Sequence, residues 1–153
     1  MLLAEALAER AQAQERLNSL HERLLAVVRV QEGDTPEEDP QELLRELDGV
    51  TGRIDELVQA INATNIATVF DEKMNLMEAL ALRDGLVRKR RIYHDLAQRA
   101  GTRSDRYSRN EIKFVSTISV ADMRKRVDDL SKQYRELDTR IQQLNWNTEL
   151  KNG

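Results

Sequence analysis

Arg103, Arg106 and Arg109 recur at every third position between Gly101 and Asn110, with Tyr107 among them and Lys113 just beyond. Guanidinium groups hold phosphate or carboxylate through forked N–H donors, and a neighbouring aromatic ring can stack on a base. These five residues are therefore the candidate contacts for an anion or a partner. Asp105 and Glu111 dilute the charge. Arg88-Lys89-Arg90-Arg91 precedes the loop, but four consecutive residues face all sides of a helix and make no single flat stripe. Pairing with acidic helices, of this or another chain, is favoured over nucleic acid.

Other clusters carry weaker chemistry. Glu32, Asp34, Glu37, Glu38 and Asp39 fall within eight residues. Hard cations take such oxygen ligands, but the spacing is not that of the twelve-residue calcium loop. A solvated turn that caps the next helix is the favoured reading. His21 and His94 lie on different helices. The Glu-x-x-His signature of di-iron bundles is missing, since residue 18 is Asn and residue 91 is Arg. Arg83 and Arg90 sit beside an apolar stripe, near Asp84, and are expected to form an ion pair at a helix interface. Glycine-rich phosphate loops, serine nucleophile elbows and zinc motifs are all missing. The expectation is a protein that is not an enzyme and carries no metal and no cofactor.

The elements that position these residues are long helices. Leu3, Ala6, Arg10, Ala13, Leu17, Leu20, Leu24 and Val27 alternate at steps of three and four, a coiled-coil-like seam. Leu7, Ala11, Leu25 and Val28 widen it, which predicts more than one neighbour. This first helix is predicted over residues 2–31, with Gly33 as its stop. Asp39 followed by Pro40 is an N-cap and first-turn proline, and opens a second helix over 40–62. Its seam is Leu43, Leu47, Val50, Ile54, Leu57 and Ile61. Gly49 and Gly52 lie within it, for which close helix packing is the expected reason.

A third helix is predicted over 75–100, opened by Asn75-Leu76-Met77-Glu78 as a capping box. It carries two stripes, one of Leu82, Leu86, Tyr93 and Leu96, the other of Leu76, Leu80 and Val87. At 100° per residue they lie about a third of a turn apart, which predicts two buried faces. The fourth helix, over 120–146, has the cleanest seam: Val120, Met123, Val127, Leu130, Tyr134, Leu137, Ile141 and Leu144. Residues 66–70 and 111–118 are β-prone and read as short extended segments. The fold expected is mainly α, an antiparallel bundle of four long helices with coiled-coil-like seams, in one domain spanning 1–153. In such a bundle the two extended segments lie at opposite ends and cannot pair within one chain, which points to a homo-oligomer.

Composition agrees. Of 153 residues 33% are charged and only 4% aromatic, as in long helices. The net charge of −3 is too small to make nucleic acid or membrane the default partner. Its distribution is uneven: residues 1–82 carry 7 basic and 17 acidic side chains, residues 83–113 carry 10 and 4. There is no cysteine. No signal-peptide pattern and no apolar run of membrane-span length is present, so a cytoplasmic location is expected.

Several strings also carry a resemblance. They are Val30-Gln31-Glu32-Gly33-Asp34 with Glu38-Asp39-Pro40; Ile61-Asn62 with Thr64-Asn65; Arg106-Tyr107-Ser108-Arg109; and Tyr134-Arg135-Glu136-Leu137-Asp138-Thr139-Arg140-Ile141-Gln142 leading to Asn145-Trp146. With these the chain resembles a family of small bacterial helical proteins called septicolysin-like. The resemblance implies a helical bacterial protein, and its label implies a membrane-active cytolysin. It carries no catalytic or binding residues across. Three functional classes therefore stand in order: a non-enzymatic, homo-oligomeric structural or protein-interaction module; a membrane-active toxin; and a binder of nucleic acid or another polyanion through the basic 83–113 region.

Overall fold

The computed structural model describes residues 1–102 and 112–152. Its elements are four helices: α1 (Leu3–Val27), α2 (Pro40–Ala67), α3 (Leu76–Gly101) and α4 (Val120–Asn147). The fold is mainly α, with no strand among the described residues. Helices pack in antiparallel pairs, α1 with α2 and α3 with α4. By compactness the chain forms two units: Met1–Leu76 with Gln142–Gly153, and Met77–Ile141.

In the first unit, the α1–α2 pair closes on the predicted seams. Leu20, Leu24, Val27 and Leu43 form one buried cluster, with Leu47 and Val50 against it. Three ion pairs run along its flank. Glu9 accepts from Arg53 Nε at 2.6 Å. Arg16 Nε donates to Glu46 at 2.8 Å. Arg23 Nε donates to Glu38 at 3.0 Å. Glu9, Arg16 and Arg23 are seven residues apart, so they return to the same face every two turns. Sliding either helix by one heptad would set Glu9 against Glu46, or Arg16 against Arg53. The ladder therefore fixes register more than it adds stability, since exposed ion pairs are individually weak.

The ends of the unit depart from the sequence reading in instructive ways. α1 stops at Val27, a turn before the predicted residue 31, because Val27 is its last buried side chain. Gly33 is not the helix stop. Its φ of +92° serves the following turn, in which Asp34 N–H bonds to Gln31 O at 2.9 Å. Leu25 and Val28, expected to meet a second neighbour, are exposed. Asp39 caps α2 as predicted, accepting from Gln41 N–H at 2.9 Å, with Pro40 in the first turn.

α2 outlasts its predicted end at 62 because Thr64 is buried there. The Thr64 hydroxyl donates to Ala60 O at 2.7 Å and accepts Lys151 N–H at 2.9 Å. The C-terminal segment thus supplies α1 and α2 with a third layer. Leu3 N–H donates to Thr148 O and Leu150 N–H to Met1 O, at 2.9 and 2.8 Å. Leu3, Ala6, Leu57 and Ile61 are fully or almost fully buried in this unit.

Neither β-prone segment is a strand. Ile66 and Ala67 complete α2. Val69 makes only an isolated bridge to Asn75, around a turn in which Asp71 accepts from Lys73 and Met74 N–H. Residues 112–119 have no regular structure, and 111 lies outside the described residues. Intrinsic β preference is weak, and with no neighbouring strand it had nothing to pair with. The pairing argument for an oligomer therefore falls away.

In the second unit, α4 presents to α3 the seam read from its sequence. Leu130 and Ile141 are buried and Val120, Met123, Val127, Tyr134 and Leu137 half-buried. The expected ion pair is present, but its acid is on the other helix. Arg83 donates to Asp138 at 2.7 Å, with side chains 24% and 28% exposed. Arg90 stands against the Tyr134 ring, 5.5 Å from its centre. Arg126 donates to the Tyr93 hydroxyl at 3.1 Å and lies over the same ring.

Two predictions follow from these contacts. A Cβ added at Gly49 or Gly52 meets nothing within 4 Å, so close packing does not explain either glycine. Gly49→Ala and Gly52→Ala should each raise stability by about 1 kcal/mol, read as a higher urea midpoint with an unchanged slope. The second concerns acid. Hydrogen bonds from Arg53 and Arg23 hold the Glu9 and Glu38 carboxyls below the usual glutamate value. The folded chain then binds fewer protons than the unfolded one near the ordinary glutamate range. The stabilisation is complete above that range and is lost as pH falls through the lowered values. Arg53→Gln should flatten the acid limb of a stability–pH curve, and 0.5 M salt, on the order of a 4 Å screening length, should shrink the difference.

Candidate interaction surface

α3 contributes the side chains of interest, because only one of its two apolar stripes is covered within its unit. The α4-facing stripe contains Ala79, Arg83, Arg90, Tyr93 and Ala97, with Ala79 and Ala97 buried. Tyr93 was assigned from sequence to the other stripe. Of that other stripe Leu82 and Leu96 stay open, 48% and 43% exposed, with Ile92 at 54%, while Leu86 is half-buried; of the Leu76–Leu80–Val87 stripe Leu76 is buried and Leu80 and Val87 half-buried. Ile92 was not singled out in the sequence, although it lies between Leu82 and Leu96 on the same 100°-per-residue arc. The expectation of two buried faces thus holds for one.

The open stripe runs into the segment before α4. Leu96, Arg99 and Ala100 line a hollow of about 540 Å³ with Phe114, Val115 and Ile118. Phe114 is 92% exposed, and Ile112 and Val115 are nearly as open. Lone exposed apolar side chains are ordinary on protein surfaces, whereas a contiguous run along a helix and its adjoining segment marks a contact surface.

Of the five residues first considered for anion or partner contact, Lys113 is exposed beside Phe114. Arg103, Arg106, Tyr107 and Arg109 lie outside the described residues. The Arg88–Arg91 run does scatter around α3, but Arg90 and Arg91 line a groove with Val87, His94, Val127 and Ser131. It continues along His94, Ala97, Gln98, Arg124, Val127 and Asp128. Among the described residues no group of three His, Asp or Glu is placed to hold an ion. In the acidic turn Glu38 is engaged by Arg23 and Asp39 by the start of α2. The ladder residues Glu9, Arg16, Arg23 and Arg53 were missed in the sequence, though their seven-residue spacing and opposite signs were there to read.

The comparisons bear on identity. A solved structure from Corynebacterium diphtheriae, described as a functionally unknown conserved protein, matches with a TM-score of 0.92 and 52% identity over 99% of each chain. No curated protein matches. A model for a family of unknown function, DUF6847, matches residues 10–150. These findings overturn the septicolysin-like resemblance. The strings that suggested it belong to a different family, and the cytolysin implied by the label loses its basis. Among the described residues no helix is long and apolar enough to cross a membrane. With the family model spanning nearly the whole chain, the protein belongs to the family of unknown function DUF6847.

Proposed function

We propose that the chain is a non-enzymatic protein-interaction module that associates with a second copy of itself through the open face of α3. The observation that carries this reading is the thinness of the second unit. Its buried apolar side chains among the described residues are Ala79, Ala97, Leu130 and Ile141, two of them only alanines. Helices owe most of their stability to a packed apolar face, and a lone pair of them buries little. Leu82, Ile92 and Leu96 are the surface on which a further helix would complete a core.

The spacing of that surface favours a copy of α3 as the occupant. The exposed Leu82 and Leu96 are symmetric about residue 89, as are the half-buried Leu86 and the exposed Ile92. A two-fold interface requires that if one residue meets another, the reverse contact also forms. Two α3 helices laid antiparallel would set Leu82 near Leu96 and Leu86 near Ile92. Charge bears on the same arrangement. Residues 76–87 carry Glu78, Asp84 and Arg83, while 88–101 carry Arg88, Lys89, Arg90, Arg91 and Arg99 against Asp95. Antiparallel pairing about residue 89 sets Arg99 of one helix near Glu78 of the other, whereas Arg88, Lys89 and Arg90 of the two helices meet at the axis, a repulsion that the apolar contact has to outweigh.

Light scattering after size-exclusion chromatography tests this. The expected mass is twice 17.7 kDa, and Leu82→Glu or Ile92→Glu should return it to 17.7 kDa with the helical signal retained. Wild-type protein that stays at 17.7 kDa at about 100 μM would overturn the proposal, since a functional homodimer should form well below that concentration.

A further inference from the structure

Lys89 stands at the middle of the open face of α3. At about 100° per residue, Leu82, Gly85, Lys89, Ile92 and Leu96 fall within an arc of about 80°. Between Leu82 and Leu96, Lys89 is the one charged residue on that arc. Arg88 and Arg90 lie about 100° to either side, and Arg90 is held against the Tyr134 ring. The Lys89 side chain is exposed, with its ammonium 5.8 Å from the centre of the Tyr93 ring. It shares that ring with Arg126, which lies 5.3 Å from its centre. Among the described residues no carboxylate pairs with Lys89. A Cβ added at Gly85, one turn earlier, meets nothing within 4 Å, so nothing else in the described chain covers this part of the stripe.

Two-fold symmetry makes position 89 different from the rest of the stripe. A residue away from the axis meets a different residue of the second copy, and the two can be complementary. A residue on the axis meets itself. With Leu82 set opposite Leu96, the axis passes residue 89, and each Lys89 is brought up to that of the other copy. Two ammonium groups then face each other beside apolar side chains, which exclude part of the water that would weaken their repulsion. Ile92 of each copy comes to the open space over Gly85 of the other. The contact therefore sets apolar packing on both sides of a like-charge pair.

On the reading of α3 as a contact between two copies, we propose that Lys89 is the residue that sets the strength of that contact. It acts as a charge gate on the axis, weakening self-association in dilute salt and releasing it when the charge is screened. A contact built on opposite charges would respond to salt in the reverse sense. Sedimentation equilibrium of the full chain at about 20 mM and about 500 mM sodium chloride tests this, since the screening length falls from roughly 20 Å to roughly 4 Å. The dissociation constant of the wild-type dimer should fall by about tenfold between the two. Lys89→Gln should dimerise about tenfold more tightly than wild type in the lower salt and lose most of the salt response. A general effect of salt on apolar contacts would persist in that variant. Lys125→Gln removes the same charge from an exposed position on α4 and should change affinity less than about threefold.

Mixing tests the axis itself. Lys89→Glu combined in equal amounts with isotopically labelled wild type should give mixed dimers, by native mass spectrometry, well beyond random pairing. Only the mixed species sets opposite charges at position 89. A dimer indifferent to salt, a Lys89→Gln dimer no tighter than Lys125→Gln, or random mixing overturns the gate and leaves the contact standing. Wild type and Lys89→Gln both at 17.7 kDa in the higher salt, at about 100 μM, overturns the contact and the gate with it.

Discussion

Two packed helices can cover one stripe on each other and no more. Every further apolar stripe must find a third element or remain in water. The first unit meets this constraint within the chain. Its C-terminal segment returns to the start of α1 and the end of α2, and around it Leu3, Ala6, Leu57, Ile61 and Thr64 lose their solvent. The second unit meets it only in part. α4 covers one stripe of α3, and the side chains that would form a third layer stay exposed. The difference lies in which helix pair is supplied with a third segment, since α3 and α4 are as long as α1 and α2.

Specificity in both pairs comes from charge placed at the edge of the seam. Leucine and isoleucine stripes pack well in several registers, because a heptad slip replaces one aliphatic side chain with another. The Glu9–Arg53, Arg16–Glu46 and Arg23–Glu38 pairs do not tolerate that slip. Arg83 with Asp138 performs the same task for α3 and α4, closer to the seam and less exposed. Burial there raises the cost of a wrong register, since an unpaired, partly desolvated guanidinium would be left behind. Tyr93 and Tyr134 extend this by giving Arg126 and Arg90 a ring to lie on where no carboxylate faces them.

The helices were legible because their stripes are long and their caps follow simple chemistry. The α4 seam could be read residue by residue, and Asp39-Pro40 marked the start of α2 to the residue. Ends governed by tertiary contact were not legible. Nothing local says that α1 stops at Val27 or that Thr64 will be buried by a segment more than eighty positions away. The β-prone strings misled for a related reason, since preference without a partner strand decides nothing. Of the candidate site, the open stripe was visible as apolar periodicity, but which stripe α4 would take was not. The mistaken family resemblance rested on short strings of charged and turn-forming residues, which recur in unrelated helical proteins.

Charge also explains how an open apolar face can persist without indiscriminate stacking. Residues 77–141 carry 16 basic and 10 acidic side chains, whereas 1–76 with 142–153 carry 8 and 17. Two copies that approach through α3 therefore meet a repulsion that hydrophobic contact alone would have to overcome in any orientation. An antiparallel approach centred on residue 89 separates the two Arg99 side chains but keeps Arg88, Lys89 and Arg90 of both copies at the axis. Like charge beside an apolar stripe penalises any contact that buries too little apolar surface, and that penalty is what separates a specific contact from a sticky surface.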